Sequence, residues 1–576
     1  MNYLKKNKVL VLIVLVAFLL MSPQIYYRSI IVGPDWWFHW SRFYEAAMQI
    51  SNGHFNYFQS IYAYNQTGRI INAMYGADFA YLHGMLLLIV KNWFKAELIS
   101  SFLCVVVSGL SMYSLSRYCK LDKIIAVANA IFLMGTTTII FYISSQGFPG
   151  WATAFLPIAF IPAIRMISKD EKQINPIFLG GSVALLISIH TFTTLMYVIA
   201  LIPFWCIGFY KSKSKLLMFR DSILSVLVAL ILAGNMFIGI LDVKTTSLIM
   251  PFKVYDLIGT SMVLSDKTMG RYDYGLIFSF IFLFQFAVNI MNWKKISLLE
   301  KTIMFTGGLF LLISTKYFPW NEFLSHFPSL GGLQFPQRFS AIASVLLILN
   351  SGLVIKRIIN QTSKENAKII MAVFLVLSLI NVSSGYSDML SKAASWKTDK
   401  LDLAGDMLET QPEVIRSNFS SSDLTKAFNT IRKSTTDYLP NNGATDAPYK
   451  EYTNQIYDNP IKVKKSITEK NELQLTWEVK KSEKVLLPVF VYEHSTVELN
   501  GKKLNSKDYT SSNIGALIVN VKPGKNTVIV GYKPSFLFKF LLVLKIIAVP
   551  LTIVYCLSYT YRMNKKEKNK KNLAHR

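Results

Sequence analysis

Residues 5–21 read KKNKVLVLIVLVAFLLM, lysines followed by an unbroken apolar run from Val9 to Met21. A leader peptide has a similar shape, but no small-x-small cleavage site follows. Pro23, Gln24, Ile25, Tyr26, Tyr27 and Arg28 come next, and many more apolar runs lie beyond. The stretch predicts an uncleaved first membrane span.

Comparable runs recur along the chain. Spans are expected near 9–27, 97–117, 122–141, 149–167, 174–190, 192–210, 221–241, 274–292, 302–315, 338–355, 366–385 and 535–560. Most approach the ~20 residues a helix needs to cross a hydrocarbon core. Composition agrees: 52% of the 576 residues are hydrophobic and 16% charged, against about 25% charged in soluble domains. The four cysteines, Cys104, Cys119, Cys206 and Cys556, fall in or beside apolar runs and show neither a disulfide framework nor metal-ligand spacing.

The net charge of +27 does not point to nucleic acid, because the basic residues gather in short loops. They cluster at Lys5, Lys6 and Lys8; Arg117, Lys120 and Lys123; Arg165, Lys169 and Lys172; Lys211 to Arg220; Lys294, Lys295 and Lys301; and Lys356 to Lys368. The tail 561–576 adds more. This is the pattern of a cytoplasmic face, and it predicts a multi-pass plasma-membrane protein with both termini cytoplasmic. Phe79–Val90 is too short for a crossing and contains His83 and Gly84. Counting it as a span would put the later basic loops outside, so it is expected to be a re-entrant or outer-surface helix.

The fold expected is therefore a polytopic α-helical membrane protein of about 12 spans plus that outer helix. Residues 1–385 would form the transmembrane domain, with a first outer loop over 28–97. Residues 386–459 would be an extracytoplasmic helix and loop region. Alternation at Leu473, Leu475, Trp477 and Val479, with turn signals at Asn500-Gly501 and Pro523-Gly524, predicts an extracytoplasmic β-sandwich over 460–533. The last span, 535–560, would tether it. No charged residue stands clearly inside a span and no related halves are seen, which argues against a transporter.

Chemistry concentrates in Gly33–Arg42, GPDWWFHWSR. If a helix starts at Pro34-Asp35, then Asp35, His39 and Arg42 share one face. The alternative is that Trp36, Trp37 and Trp40 anchor the chain at the membrane interface while Asp35 only caps the helix. Gly332–Phe339, GLQFPQRF, sets Gln334 and Arg338 at the outer end of a span, where arginine suits bidentate phosphate binding or simple snorkelling. His190, before Thr191 at an outer turn, and Arg271 in an outer loop complete the candidates.

The order of Gly33–Arg42, His190-Thr191, Leu333–Phe339, Asp437-Tyr438-Leu439-Pro440, Leu499–Lys502 and Lys522–Thr527 resembles bacterial YfhO-like membrane proteins. It also resembles the related group labelled 6-pyruvoyl-tetrahydropterin-synthase-related, within the GT-C type glycosyltransferases. The resemblance implies transfer of a sugar from a polyprenyl-phosphate donor to a cell-envelope acceptor, a surface polymer such as teichoic acid or polysaccharide, or a lipid. By it Asp35 matches the family's first-loop acidic residue and acts as general base on the acceptor hydroxyl or orients it, with His39 beside it. Arg338 and Arg271 bind the donor phosphate, and Arg42, His190 and Gln334 support them. Gln337 stands where many relatives carry Trp, and neither Glu45 nor Asp78 is a clear second acid beside Asp35. No cofactor follows with certainty, and a divalent metal is left open. Two rival classes remain: a lipid-linked-sugar flippase and a non-catalytic polymer assembly factor.

Overall fold

The computed structural model describes residues 8–169, 171–265, 267, 269–403, 405–445 and 447–574, with side chains up to Arg562. Lys5, Lys6 and most of the basic tail's side chains lie outside the described residues. Most of the chain is helical. Eight helices are long and apolar enough to cross a membrane: Lys8–Tyr27, Trp93–Tyr118, Pro149–Ser168, Thr191–Lys211, Lys215–Lys244, Pro336–Ile359, Lys364–Ser395 and Phe536–Arg562. The pair Lys123–Met134 and Thr137–Ser145, bent by 41°, makes a ninth if it is one span. Shorter apolar helices are Ala77–Val90, Pro176–Ile189 and Gly275–Met291. These helices suggest a multi-pass membrane protein.

Local chemistry sets the helix limits. Trp93–Tyr118 starts four residues earlier than the apolar run, because the Asn92 side chain accepts from Lys95 N and caps it. Asn175 caps Pro176–Ile189 by accepting from Ile177 N and Phe178 N, with proline at the first position. The expected span 122–141 is broken at Gly135-Thr136. Asn381 Nδ2 donates to Gly135 O (2.9 Å), so the break leaves that buried carbonyl satisfied. Lys364–Ser395 runs ten residues past the expected end at 385, since Met389 and Ala393 continue its buried face. The last helix likewise continues through the tail to Ala574.

The two long polar regions meet at one end of the helices. Trp36 Nε1 donates to Leu403 O (3.1 Å) and Trp93 Nε1 to Leu424 O (3.1 Å). Arg69 reaches Thr435 O (2.5 Å) and Asp437 O (2.6 Å). Trp36, Trp37 and Trp40 are buried, not spread at an interface, because Phe419, Phe428 and Trp93 pack on them. The anchor reading of these tryptophans is therefore corrected: their burial joins the first loop to the 396–428 segment.

The C-terminal region is strand-rich. After the short pair β1 (Asp406–Met407) and β2 (Ile431–Arg432) come β3 (Lys464–Ile467), β4 (Leu473–Val479), β5 (Glu483–Phe490), β6 (Ser495–Leu499), β7 (Lys502–Leu504), β8 (Thr510–Ser511), β9 (Ala516–Val521) and β10 (Gly524–Tyr532). They form a five-stranded sheet, β3-β4-β10-β6-β7, and a three-stranded sheet, β5-β9-β8. All pairings are antiparallel. The alternating residues Leu473, Leu475, Trp477, Val485, Leu487, Val519 and Val528 join one apolar cluster from both sheets. Asn500 and Gly501, both at positive φ, make the tight β6–β7 turn.

Candidate functional site

The segment 28–35 is held from two sides. Gly33 lies so close to the backbone of Ser145 that a Cβ would stand 2.1 Å from its carbonyl oxygen, and Lys433 Nζ donates to Pro34 O (2.7 Å). The helix Trp36–Asn52 starts at once. Asp35 occupies its N-cap position, yet its side chain makes no capping hydrogen bond. The carboxylate is thus not spent on the helix end.

Asp35 keeps solvent access, yet burial is the main influence on its carboxyl and raises it above the usual carboxylate range. Lys433, Arg338 and Arg271 oppose that shift by their positive charge. Burial lowers the Lys433 ammonium, and Asp35 holds it up. Asp437 is raised by burial, against Arg69, and feels Asp35 as well. The two candidate phosphate ligands share a ring: the guanidinium of Arg338 lies 5.1 Å and that of Arg271 5.9 Å from the centroid of Phe335.

Arg338 is aimed by its neighbours. Its Nη2 donates to Gln334 Oε1 (3.1 Å) and its Nη1 to Leu333 O (3.1 Å), while Gln334 Nε2 donates to Phe252 O (2.8 Å). Gln334 therefore supports Arg338. At His190, the backbone N–H of Thr193 donates to Nδ1 (3.2 Å). Nδ1 is then the acceptor, and a neutral ring carries its proton on Nε2.

His39 lies one turn past Asp35, in the helix Trp36–Asn52. It is buried and stacks near Phe148, with ring centroids 4.2 Å apart. Its Nδ1 is 3.3 Å from Arg42 Nη1. Burial, then the charge of Arg42, pushes the imidazole well below its ordinary value, so it is neutral. Arg42 is buried too, pushed down to about 10. It donates through Nε to Asn72 Oδ1 (3.0 Å) and through Nη2 to Gly76 O (2.6 Å). Its guanidinium lies over Tyr75, whose ring touches that of Tyr438, centroids 5.7 Å apart. Asp35, Arg338 and Arg271 thus share one electrostatic neighbourhood, with His190 beside Arg338 and His39 and Arg42 forming its back.

A cavity of about 390 Å³ lies beside the segment before Asp35, lined in part by Gly33, Pro34, Phe141, Arg271 and Lys392. Arg271 is on its wall, and Asp35 and Arg338 are not. Among the described residues no three His, Cys, Asp or Glu side chains gather as a metal site.

Sequence reasoning missed Lys433 and gave no role to Asp437 or Tyr438. Lys433 lies in a polar stretch that no local pattern distinguishes. It also missed a charge within a span. Lys545, in the last helix, is buried and bonded to Asp78 Oδ2, which also accepts from Ser188 Oγ (2.9 Å). The expectation that no span holds a buried charge is thereby corrected. The partner carboxylate comes from the short helix Ala77–Val90, remote in sequence.

No described protein family matches the chain. An uncharacterized protein of Lactococcus lactis subsp. cremoris (strain MG1363) is 24% identical to it over 342 residues. The match takes in 55% of either protein, so the chain spans about half the length of that relative.

Proposed function

We propose that this protein is a GT-C type membrane glycosyltransferase that moves a sugar from a polyprenyl-phosphate donor to a surface polymer or lipid on the outer face. The observation that carries the reading is Asp35: an accessible carboxylate, unused by the helix it precedes, next to Pro34, whose carbonyl accepts from Lys433, and within the electrostatic influence of Lys433, Arg338 and Arg271. A base beside a group of cations suits displacement at a sugar carbon with phosphate leaving. Asp35 takes the proton of the acceptor hydroxyl as its oxygen bonds the anomeric carbon. The bond from that carbon to the phosphate oxygen breaks, and Arg338 and Arg271 offset the charge left on phosphate. Gln334 fixes the Arg338 fork. His190 offers Nε2–H to the same anion. His39 and Arg42 hold the turn at Gly76 and Tyr75.

Twelve crossings fit this reading. They are supported by ties between helix ends. Lys356 Nζ donates to Lys120 O (2.7 Å), Lys211 Nζ to Ile167 O (3.3 Å), and Arg357 pairs with Glu300 at 2.6 Å, all among the basic loops. At the other end Gly33 meets Ser145, Met262 N donates to Ser314 O (2.7 Å), and Ser535 N to Asp242 Oδ2 (2.9 Å). Basic loops then lie in the cytoplasm with both termini, and Asp35 and its neighbouring cations lie outside beneath a β-sandwich whose two sheets share one core. Ala77–Val90, at 14 residues, is only ~21 Å long. It rises from Asp78, at the level of Lys545, to Asn92, whose Nδ2 bonds Ser420 O (2.5 Å). It is re-entrant.

One observation favours a second reading. A buried Lys–Asp pair inside the helical region, such as Lys545–Asp78, is a common feature of transporters. The full-length protein in liposomes, given a polyprenyl-phosphate sugar, separates the two. A transferase cleaves the sugar–phosphate bond and releases polyprenyl phosphate; a flippase moves the intact lipid-sugar between leaflets.

A further inference from the structure

Asp437 and Tyr438 are a carboxylate and a phenol that the transfer step leaves unused. The segment that carries them is tied at several points. Lys433 holds its start at Pro34, the residue before Asp35. Arg69 forks onto its middle, with Nη1 donating to Thr435 O (2.5 Å) and Nη2 to Asp437 O (2.6 Å). Its end pairs with an outer loop: Tyr438 N donates to Ile249 O (2.7 Å) and Ile249 N to Leu439 O (2.8 Å). From the strand-rich region the Tyr492 hydroxyl donates to Tyr438 O (3.2 Å). These ties end on backbone groups. They fix where the two side chains stand without engaging the Asp437 carboxylate.

Asp437 is half-buried. Among the described residues no group donates a hydrogen bond to its carboxylate, and it forms no ion pair. Burial raises it, Arg69 opposes the shift, and the charge of Asp35 reaches it. Tyr438 stands in the left-handed backbone region, at a φ of 65°, where a bulky side chain is costly. Its ring meets that of Tyr75, centroids 5.7 Å apart, and Tyr75 meets Phe38 at 4.8 Å. Burial raises the Tyr438 hydroxyl, and Arg338 is among the charges that oppose the shift. Asp437 is thus within the influence of the base, and Tyr438 within that of the arginine assigned to phosphate.

We propose that Asp437 and Tyr438 recognise the transferred sugar and select a neutral hexopyranose with a free 3,4-diol. The inference rests on the transferase reading for the donor it places there. In-line displacement sets the acceptor oxygen beside Asp35 and the phosphate beside Arg338, on opposite sides of the anomeric carbon. The rest of the sugar ring stands off that axis, where neither group holds it. A free carboxylate accepts from two adjacent hydroxyls at once, in charge-assisted bonds. These bonds replace the water that the carboxylate loses when the sugar covers it. The 3,4-diol is the vicinal pair farthest from the reacting carbon. The Tyr438 ring offers an apolar face to the sugar's C–H groups. A uronic acid would bring a third carboxylate beside Asp35 and Asp437, which like-charge repulsion opposes.

The test uses the full chain in nanodiscs of neutral phosphatidylcholine. It measures binding of polyprenyl-phosphate glucose, galactose and N-acetylglucosamine, each against sugar-free polyprenyl phosphate. Wild type should bind at least one of the three more tightly than the sugar-free lipid. The 3-deoxy and 4-deoxy analogues of that donor should bind about tenfold to a hundredfold more weakly than the donor itself. Asp437→Ala should cut this deoxy penalty to about twofold, while sugar-free polyprenyl phosphate still binds as it does to wild type, which reports an intact fold. Tyr438→Ala should weaken all three sugars severalfold, and Tyr438→Phe, which keeps the ring, should not. A deoxy penalty that survives in Asp437→Ala overturns the proposal, as does a wild type that binds none of the three better than the sugar-free lipid. So does tighter binding of a glucuronic acid donor than of the glucose donor, or a penalty that vanishes with EDTA, which would make the two carboxylates a cation site. The expected binding pattern without any release of polyprenyl phosphate would sink the transferase reading alone. Release with the deoxy penalty intact in Asp437→Ala would sink only this inference.

Discussion

Asp78→Ala should loosen the last helix from the rest of the bundle. The apolar stretch of that helix is only 6% buried, so few contacts hold it. Lys545 lies nine residues past Phe536, ~14 Å along the axis, too deep for its ammonium to reach water easily. Its side chain is 9% exposed and that of Asp78 33%. Stranding a fully buried partner costs about 3–5 kcal/mol. Partial access at Asp78 lets water reach the site and reduces this to ~2–4 kcal/mol. Lys545→Met in the same chain should recover most of the loss, since an apolar replacement of both partners is nearly neutral. The assay is unfolding of the single and double variants in detergent, read as a double-mutant cycle. A crosslink between cysteines at Ala184 and Ala548, which belong to one apolar cluster, reports docking directly. A single variant within ~0.5 kcal/mol of wild type, or a double variant as unstable as the sum of both singles, would show that the Lys545–Asp78 pair does not hold the helix.

Arg338→Lys keeps the charge but loses the planar fork and the bond to Gln334, so transfer should fall by about tenfold or more with folding intact; equal activity would remove the arginine's special role. Gly33→Ala forces the 33–35 segment off the Ser145 backbone and should impair transfer while leaving the helical content unchanged, as read by circular dichroism. The acid limb of the pH–rate profile should lie above the ~3.9 of an ordinary aspartate. Burial raises Asp35, and the base form is lost as pH falls through that raised value. Lys433→Gln removes a cation that opposes the shift, so the limb should move to higher pH; movement to lower pH contradicts the assignment.

Membrane character was legible because apolar runs and basic loops are local patterns. So was the alternation in β4, β9 and β10, although not which strands pair. Asp35, Arg338, Arg271 and His190 were nameable because each stands at an unusual spot, next to proline, an aromatic run or a span end. Their convergence is not legible in any local pattern, since most of the helices lie between Asp35 and Arg338; only the glycosyltransferase resemblance implies it. Lys433 was invisible for the same reason: only folding of the 396–438 segment over the first loop brings it to Pro34. His39 shows the opposite error. Its spacing from Asp35 is right for a shared helix face, but that face turns inward onto Phe148 and Arg42. Lys545 was passed over because one lysine in a long apolar run gives no sign of its partner.

The decisive comparison is release of polyprenyl phosphate from a polyprenyl-phosphate sugar by liposomes holding either the wild-type chain or Asp35→Asn. A general-base role for Asp35 predicts acceptor-dependent release by wild type, reduced by ~10²–10⁴-fold in the variant, with donor binding retained through Arg338 and Arg271. Release that persists undiminished in Asp35→Asn, or no release by wild type with any envelope acceptor fraction, would contradict it.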